Sequence, residues 1–298
     1  MRSPVGWRAR CVAVVALVAL FGVACSSSGE RRTPTASPYG TESVSAPATI
    51  SVASPRSVPT LVPPPTIAPP PTVVPTEPLG DPATPVSGGE EATVVYRGDA
   101  SKRMVGLTFD AGSDVGYTAL ILETLRAEGV RASFGMTGKW AEQNHDLLLA
   151  IAAGGHEFIN HTYDHASFTG LSSGEAPLST EQRALEISRT ETTVYHLTGR
   201  TTRPYFRPPF GDLDQSVLTD VARAGYPTIV MWTVDTLGWK GATADEIVER
   251  SLELAEPGAI YVMHVGSQSQ DGVALRRVID GLRAAGYGFG AVSEVVAG

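Results

Sequence analysis

From about residue 93 onward, short apolar runs rich in β-branched residues alternate with longer stretches whose apolar residues recur every three to four positions. The short runs predict strands at 105–109, 132–136, 157–160, 205–207, 229–234, 260–263 and 289–292. The longer stretches predict helices at 117–128, 146–153, 180–197, 215–224, 244–254 and 273–285. Gly129, Gly225 and Gly286 follow three of these helices, where a residue tolerant of left-handed backbone is expected. Strand and helix alternating in this way is the rhythm of a parallel sheet covered by helices. Seven strands in about two hundred residues, with no internal repeat, predict one barrel-like α/β domain over residues 93–298.

The preceding ninety residues follow a different pattern. Arg2, Arg8 and Arg10 lead into the apolar run Cys11–Ala24, the layout of a secretory signal peptide over residues 1–24. The run ends in Val23-Ala24-Cys25, which resembles a bacterial lipobox, with Gly22 where that pattern prefers Leu. The resemblance implies that Cys25 becomes a lipidated first residue anchored to the membrane; ordinary secretion is the alternative. Residues 25–92 form an expected Pro/Ser/Thr-rich linker, with fifteen of the chain's 22 prolines between Ser26 and Ala92. Such a segment buries too little apolar surface to offset its ordering entropy and favours extended polyproline II. Fully extended at about 3.1 Å per residue it reaches roughly 200 Å, enough to carry a domain away from a membrane.

The formal net charge is −8, and removing three signal arginines makes the remainder more acidic. An acidic domain without a basic patch argues against nucleic acid as a partner. Cys11 and Cys25 are the two cysteines, so the domain is expected to stand on its core without disulfides.

In a barrel of this kind, chemistry gathers where strands end. Those positions hold Asp110, then His161 and His165 in "NHTYDH", Arg207 in "YFRPPFG", Asp235 and Trp239 in "VDTLGW", and His264 in "YVMH". Each has an ordinary structural explanation: Asp110 as a helix cap, His264 as a buried core histidine, Trp239 as core or lid, Arg207 as a partner for a nearby acid. Their arrangement, in order along successive strands, points to a shared site.

The segments "TFDAG", "HTYDH", "RPPFG", "DTLGW" and "VMH" resemble, in order, the five motifs of the polysaccharide deacetylases (carbohydrate esterase family four, the NodB-homology domain). The resemblance covers roughly residues 104–296. It implies a distorted (β/α)7 barrel that removes acetyl groups from N-acetylated sugars with a divalent metal, usually zinc. Carried over residue by residue, it implies Asp110 as general base and His161 and His165 as metal ligands. Arg207 would position the base, and His264 would act as general acid. The backbone N–H of Phe210 would hold the oxyanion, and Trp239 and Val262 would line the substrate pocket.

Two positions depart from the family pattern. Ala111 stands where the family has an Asp that completes the metal ligands. Asp114, on the same loop, either substitutes as a ligand or caps the helix starting near Tyr117. Gly238 stands where the family often has an acid that tunes the catalytic histidine, and Asp235 is the candidate to assume that role. No His-Glu-x-x-His pair or dinucleotide loop is present.

These observations predict a monomeric, lipid-anchored, extracytoplasmic enzyme acting on a polymeric N-acetylated glycan, foremost peptidoglycan. The Gly- and Ser-rich segment 165–180 is expected to shape its groove. The alternatives are a non-catalytic relative that binds wall glycans with a degraded metal site, and a deacetylase of chitin- or xylan-like polysaccharide.

Overall fold

The computed structural model describes residues 91–297. The expected signal peptide, Cys25 and the proline-rich segment lie outside these residues, apart from Glu91 and Ala92. Among the described residues, nine strands form one curled, all-parallel sheet. They are β1 (Thr93–Val95), β2 (Met104–Ala111), β3 (Ser133–Met136), β4 (Glu157–Asn160), β5 (Tyr205–Phe206), β6 (Thr228–Val230), β7 (Val234–Asp235), β8 (Ile260–His264) and β9 (Gly288–Gly290). Their order is β1-β6-β5-β4-β3-β2-β8-β7, with β9 against the start of β2.

Helices cover the outside: α1 (Thr118–Glu128), α2 (Gly138–Gln143), α3 (His145–Ala153), α4 (Thr180–Thr198), α5 (Gln215–Arg223), α6 (Ala244–Glu253), α7 (Asp271–Ala284) and α8 (Val292–Val296). This is the α/β, distorted (β/α)7-type barrel that the sequence pattern predicts.

β2 is apolar almost without alternation because both its faces are covered, as expected of a central parallel strand. Leu107, Phe109, Phe134 and Tyr261 from β2, β3 and β8 pack with Ile121, Leu275 and Ile279 from α1 and α7, all fully buried. Each large side chain contributes roughly 2 kcal/mol of burial. A second cluster around Phe168, Phe206, Val221 and Tyr226 holds α5 against the far side of the sheet. The ends of α4 illustrate the local chemistry: a capping box of Ser179 and Gln182 opens it, and Gly199 in left-handed conformation closes it.

The expected strand 229–234 is two strands. After β6 the Met231 N–H donates to Val95 of β1, whereas the Thr233 N–H donates to Ile260 of β8. The chain therefore crosses from one end of the sheet to the other within three residues, and a continuous apolar run hides the crossing. β1 and α2 escape the hydrophobic pattern because they are too short to display a period. Residues expected as the strand 289–292 divide between β9 and α8.

His156 is the histidine that serves the fold. It is buried against Phe134, with ring centroids 5.3 Å apart, and its Nδ1 accepts the Ala132 N–H at 3.2 Å. Burial first, then the nearby cations Arg131 and Arg200, lower its pKa from 6.5 to about 4. Between those values the unfolded chain binds the proton and the folded one refuses it, so stability falls as pH drops through this window. We predict a loss of roughly 3 kcal/mol of unfolding free energy from His156 alone, measured by denaturant titration at pH 7 and pH 4. A His156→Asn variant, whose carbonyl also accepts from Ala132, should show a shallower pH dependence; an unchanged one would contradict this account.

Candidate active site

Asp110 ends β2 and His264 ends β8, and the register of these strands sets the two residues directly opposite each other. Asp110 is buried at 7 % exposure. Its Oδ1 accepts from Arg207 Nη1 at 2.8 Å, and its Oδ2 lies 3.7 Å from His161 Nε2. The carboxylate fits because β3 carries Gly135 beside it: a Cβ there would stand 2.2 Å from Asp110 Oδ1. Burial pushes the Asp110 carboxyl up, but Arg207, His161 and His264 together outweigh it and hold the group below the ordinary carboxylate range. The aspartate is therefore an ionised, desolvated base at neutral pH.

Arg207 is fully buried beneath the site. Besides Asp110, its guanidinium donates to Thr108 Oγ1 at 2.9 Å and to the Val230 carbonyl at 2.9 Å. Its own carbonyl accepts from His161 Nδ1 at 2.8 Å. That bond assigns the proton to Nδ1 and leaves the Nε2 lone pair facing Asp110, the tautomer suited to binding a cation.

His161 and His165 are brought together by a tight loop instead of a helix. Thr162 and His165 have φ of 66° and 62°, a left-handed conformation that costs roughly 1–3 kcal/mol per residue. Glu186 of α4 secures the turn by accepting the Tyr163 and Asp164 N–H groups at 2.9 and 2.8 Å, and Asn160 Oδ1 accepts that of Thr162 at 3.1 Å. The two imidazole rings end 4.8 Å apart at 73°. Burial, with His161 beside it, pushes His165 down to about 3, and burial likewise lowers His161. Both rings are neutral and available as ligands.

A cleft of about 600 Å³ opens over these groups. Asp110, His161, His165, Phe210, Asp235, Trp239, Val262 and His264 all line it. Phe210 adopts φ 62° in the turn after β5, and its ring stands edge-on to His165 at 4.8 Å. Ser113, Ser172, Trp232, Gln268 and Ser269 line the cleft as well. Sequence reasoning did not single out these five, because lone serines and glutamines in loops carry no pattern and Trp232 falls inside the expected strand 229–234. Ser172 belongs to the expected groove segment and is tied down by Asp212, which also accepts from Ser167.

Two of the expected site residues are engaged by partners the sequence did not name. The Asp114 carboxylate accepts the Ser267 N–H at 2.8 Å and the Ser267 hydroxyl. It clasps the loop after β2 to the loop after β8 and is not grouped with His161 and His165, and the N-cap of α1, Tyr117, has no side-chain cap bond. Asp235, the candidate to replace the acid missing at Gly238, bonds within its own loop. It opposes Val262 in the sheet, and its carboxylate accepts from the Leu237 N–H at 2.9 Å and from Trp239 Nε1 at 3.1 Å. Asp235 thus fixes the Trp239 wall of the cleft.

The donor set tests the fit of a metal. Among the described residues, no group of three or more His, Cys, Asp or Glu side chains is arranged to hold one. Ala111, fully buried, offers only a methyl group. His161 and His165 fit a cation held by two imidazoles with open positions, and Asp114, one of the two readings for the ligand missing at Ala111, is not grouped with them.

An ionised carboxylate, two neutral imidazoles and a third histidine around an open cleft at the C-terminal rim of an α/β barrel define a hydrolase-type site. The polysaccharide deacetylase family model matches residues 97–229. A peptidoglycan-N-acetylglucosamine deacetylase of Bacillus cereus is 32% identical over 209 residues, covering 69% of this chain and 73% of that protein. The peptidoglycan-N-acetylmuramic acid deacetylase PdaA of Bacillus subtilis is 29% identical, covering 70% and 76%. Among solved structures, a carbohydrate esterase family 4 pseudoenzyme from Bacillus anthracis is 31% identical with a TM-score of 0.62, covering 69% of each chain. The chain belongs to the polysaccharide deacetylase family.

The buried ion pair gives a direct test. Replacing Arg207 with Met leaves Asp110 as an uncompensated buried charge, with an expected cost of about 3–5 kcal/mol by chemical denaturation. Adding Asp110→Asn should return part of that loss, because the charge that needed the arginine is gone. A double variant no more stable than Arg207→Met would show that the arginine acts by packing alone.

Proposed function

We propose that this domain hydrolyses the N-acetyl amides of peptidoglycan sugars, on N-acetylglucosamine or N-acetylmuramic acid. The carrying observation is the opposition of Asp110 and His264 across paired strand ends, beside two neutral imidazoles in an open cleft. Asp110, kept ionised by Arg207, takes a proton from water as its oxygen attacks the amide carbon. His264 gives a proton to the leaving nitrogen, so the products are acetate and a free amine. The Phe210 N–H is assigned to the carbonyl oxygen as it gains charge, and Val262 and Trp239 border the acetyl methyl and the sugar. His161 and His165 would hold a divalent cation, zinc by donor chemistry, which when bound lends Lewis acidity to the water and the amide carbonyl.

The relatives named above act on peptidoglycan by their names, which supports this polymer over chitin- or xylan-like chains. An extracytoplasmic protein monomer, anchored through a lipidated Cys25 and carried on the 25–92 linker, would bring the cleft against that polymer. The domain bounds of 1–24, 25–92 and 93–298 belong to the same reading. A second reading, a wall-glycan binder without catalysis, is favoured by Ala111 and by the similarity to a pseudoenzyme. Against it stand the five retained groups Asp110, His161, His165, Arg207 and His264 and the tuned environment of Asp110.

Acetate release across a panel of peptidoglycan, chitin oligomer and acetylated xylan distinguishes these readings. Peptidoglycan should give the highest rate, and Asp110→Asn should lower it by at least roughly 10²-fold. Binding without acetate release would favour the second reading. Metal analysis of the same preparations should find the divalent ion lost in His161→Ala and unchanged in Asp114→Ala; loss in the latter would restore Asp114 as a ligand.

A further inference from the structure

The loop after β7 has Gly238 where the family resemblance places an acid, and the surroundings of that glycine show what occupies the space. A Cβ built on Gly238 would lie 2.2 Å from Ser269 Oγ and 2.7 Å from Asp271 Oδ2. The volume a side chain would enter is filled by a carboxylate arriving from the first turn of α7. Asp271 is fully buried. Its Oδ2 accepts the His264 N–H at 2.8 Å and the Ser269 hydroxyl at 2.7 Å, and it lies 3.9 Å from His264 Nδ1.

Two buried polar atoms in this corner have no hydrogen-bond partner: His264 Nδ1 and Asp271 Oδ1. A buried polar atom left unpaired costs roughly 1–3 kcal/mol, and such atoms in a folded protein call for a cause. One is a nitrogen able to donate, the other an oxygen able only to accept when ionised, and they belong to side chains already in contact. Nδ1 is enclosed, so the part of the His264 ring that lines the cleft carries Nε2. Burial pushes the Asp271 carboxyl up, opposed by the hydrogen bonds from Ser269 and the His264 N–H; a donor at Nδ1 is what a carboxylate in that enclosure lacks.

We propose that Asp271 is the positioning residue of His264: it takes the Nδ1 proton, aims Nε2 into the cleft, and depends on the absent side chain at Gly238 for its place. The duty of the acid missing from the loop after β7 has moved to the start of α7, in place of Asp235. This rests on the reading in which His264 protonates the leaving amine. An acid in the first turn of a helix is commonplace, so the sequence gives no cue that this one faces a histidine.

The test combines kinetics on peptidoglycan with nitrogen NMR of the histidine side chains. Asp271→Ala should lower kcat by roughly 10- to 100-fold with KM within about twofold, and His264 should lose its preference for the Nδ1–H tautomer. Adding Ser269→Ala and Gly238→Asp returns a carboxylate from the opposite loop into the cleared space and should recover about tenfold of the lost kcat. A kcat for Asp271→Ala within twofold of the unaltered protein overturns the proposal. So does an unchanged tautomer, or a triple variant no faster than Ser269→Ala/Asp271→Ala. The His264→Ala variant separates the two levels. Undiminished turnover there would sink the general-acid reading itself, while the nitrogen spectrum would still decide whether Asp271 orients the ring.

Discussion

Arg207 and Asp110 meet 2.8 Å apart in a place where the arginine has no contact with water. Removing two charges from solvent costs several kcal/mol per ion, and only close geometry with further hydrogen bonds repays it. The guanidinium meets that condition by donating to Asp110, Thr108 and the Val230 carbonyl at once. Its backbone carbonyl fixes the tautomer of His161 from the other side. One residue therefore links the ends of β2, β4 and β6, keeps the Asp110 carboxylate ionised and leaves the His161 Nε2 lone pair facing it. Gly135 is part of the same constraint, since any side chain there would displace the carboxylate.

Much of the architecture could be read from hydrophobic rhythm. Six of the predicted helices and most of the strands follow from it because central parallel strands are apolar throughout and covering helices carry one apolar stripe. The pattern could not reveal that the run through Met231 and Thr233 bridges two ends of the sheet, because hydrogen-bond partners leave no trace in hydropathy. β1, with three residues, and α2, with six, are shorter than the periods by which they would be recognised.

The site was legible where residues end strands and illegible where loops fold over one another. Asp110, His161, His165, Arg207 and His264 stand at or next to strand ends, and the sheet register brings them together. Asp114 lies on a loop and Asp235 ends the two-residue strand β7, and at neither position does sequence distance name the side chain's partner. The first pairs with Ser267, 153 residues away, and the second with Trp239, four residues on. Asp271 was hidden for the converse reason: its position in a helix start is ordinary, and only the empty side of Gly238 reveals its neighbour.

The loss of an acid at position 111 and of another at 238 has different consequences. Around Gly238 a second carboxylate fills the gap, whereas among the described residues no third ligand-type side chain joins the two imidazoles beside Ala111. A family containing both active peptidoglycan deacetylases and a pseudoenzyme makes the chemical competence of this two-histidine rim the central claim. The most direct measurement is mass spectrometry of muropeptides from peptidoglycan incubated with the protein. The account predicts fragments lacking one acetyl group per modified sugar and carrying a free amine. Muropeptide masses that stay unchanged while the protein remains bound to the glycan would contradict it.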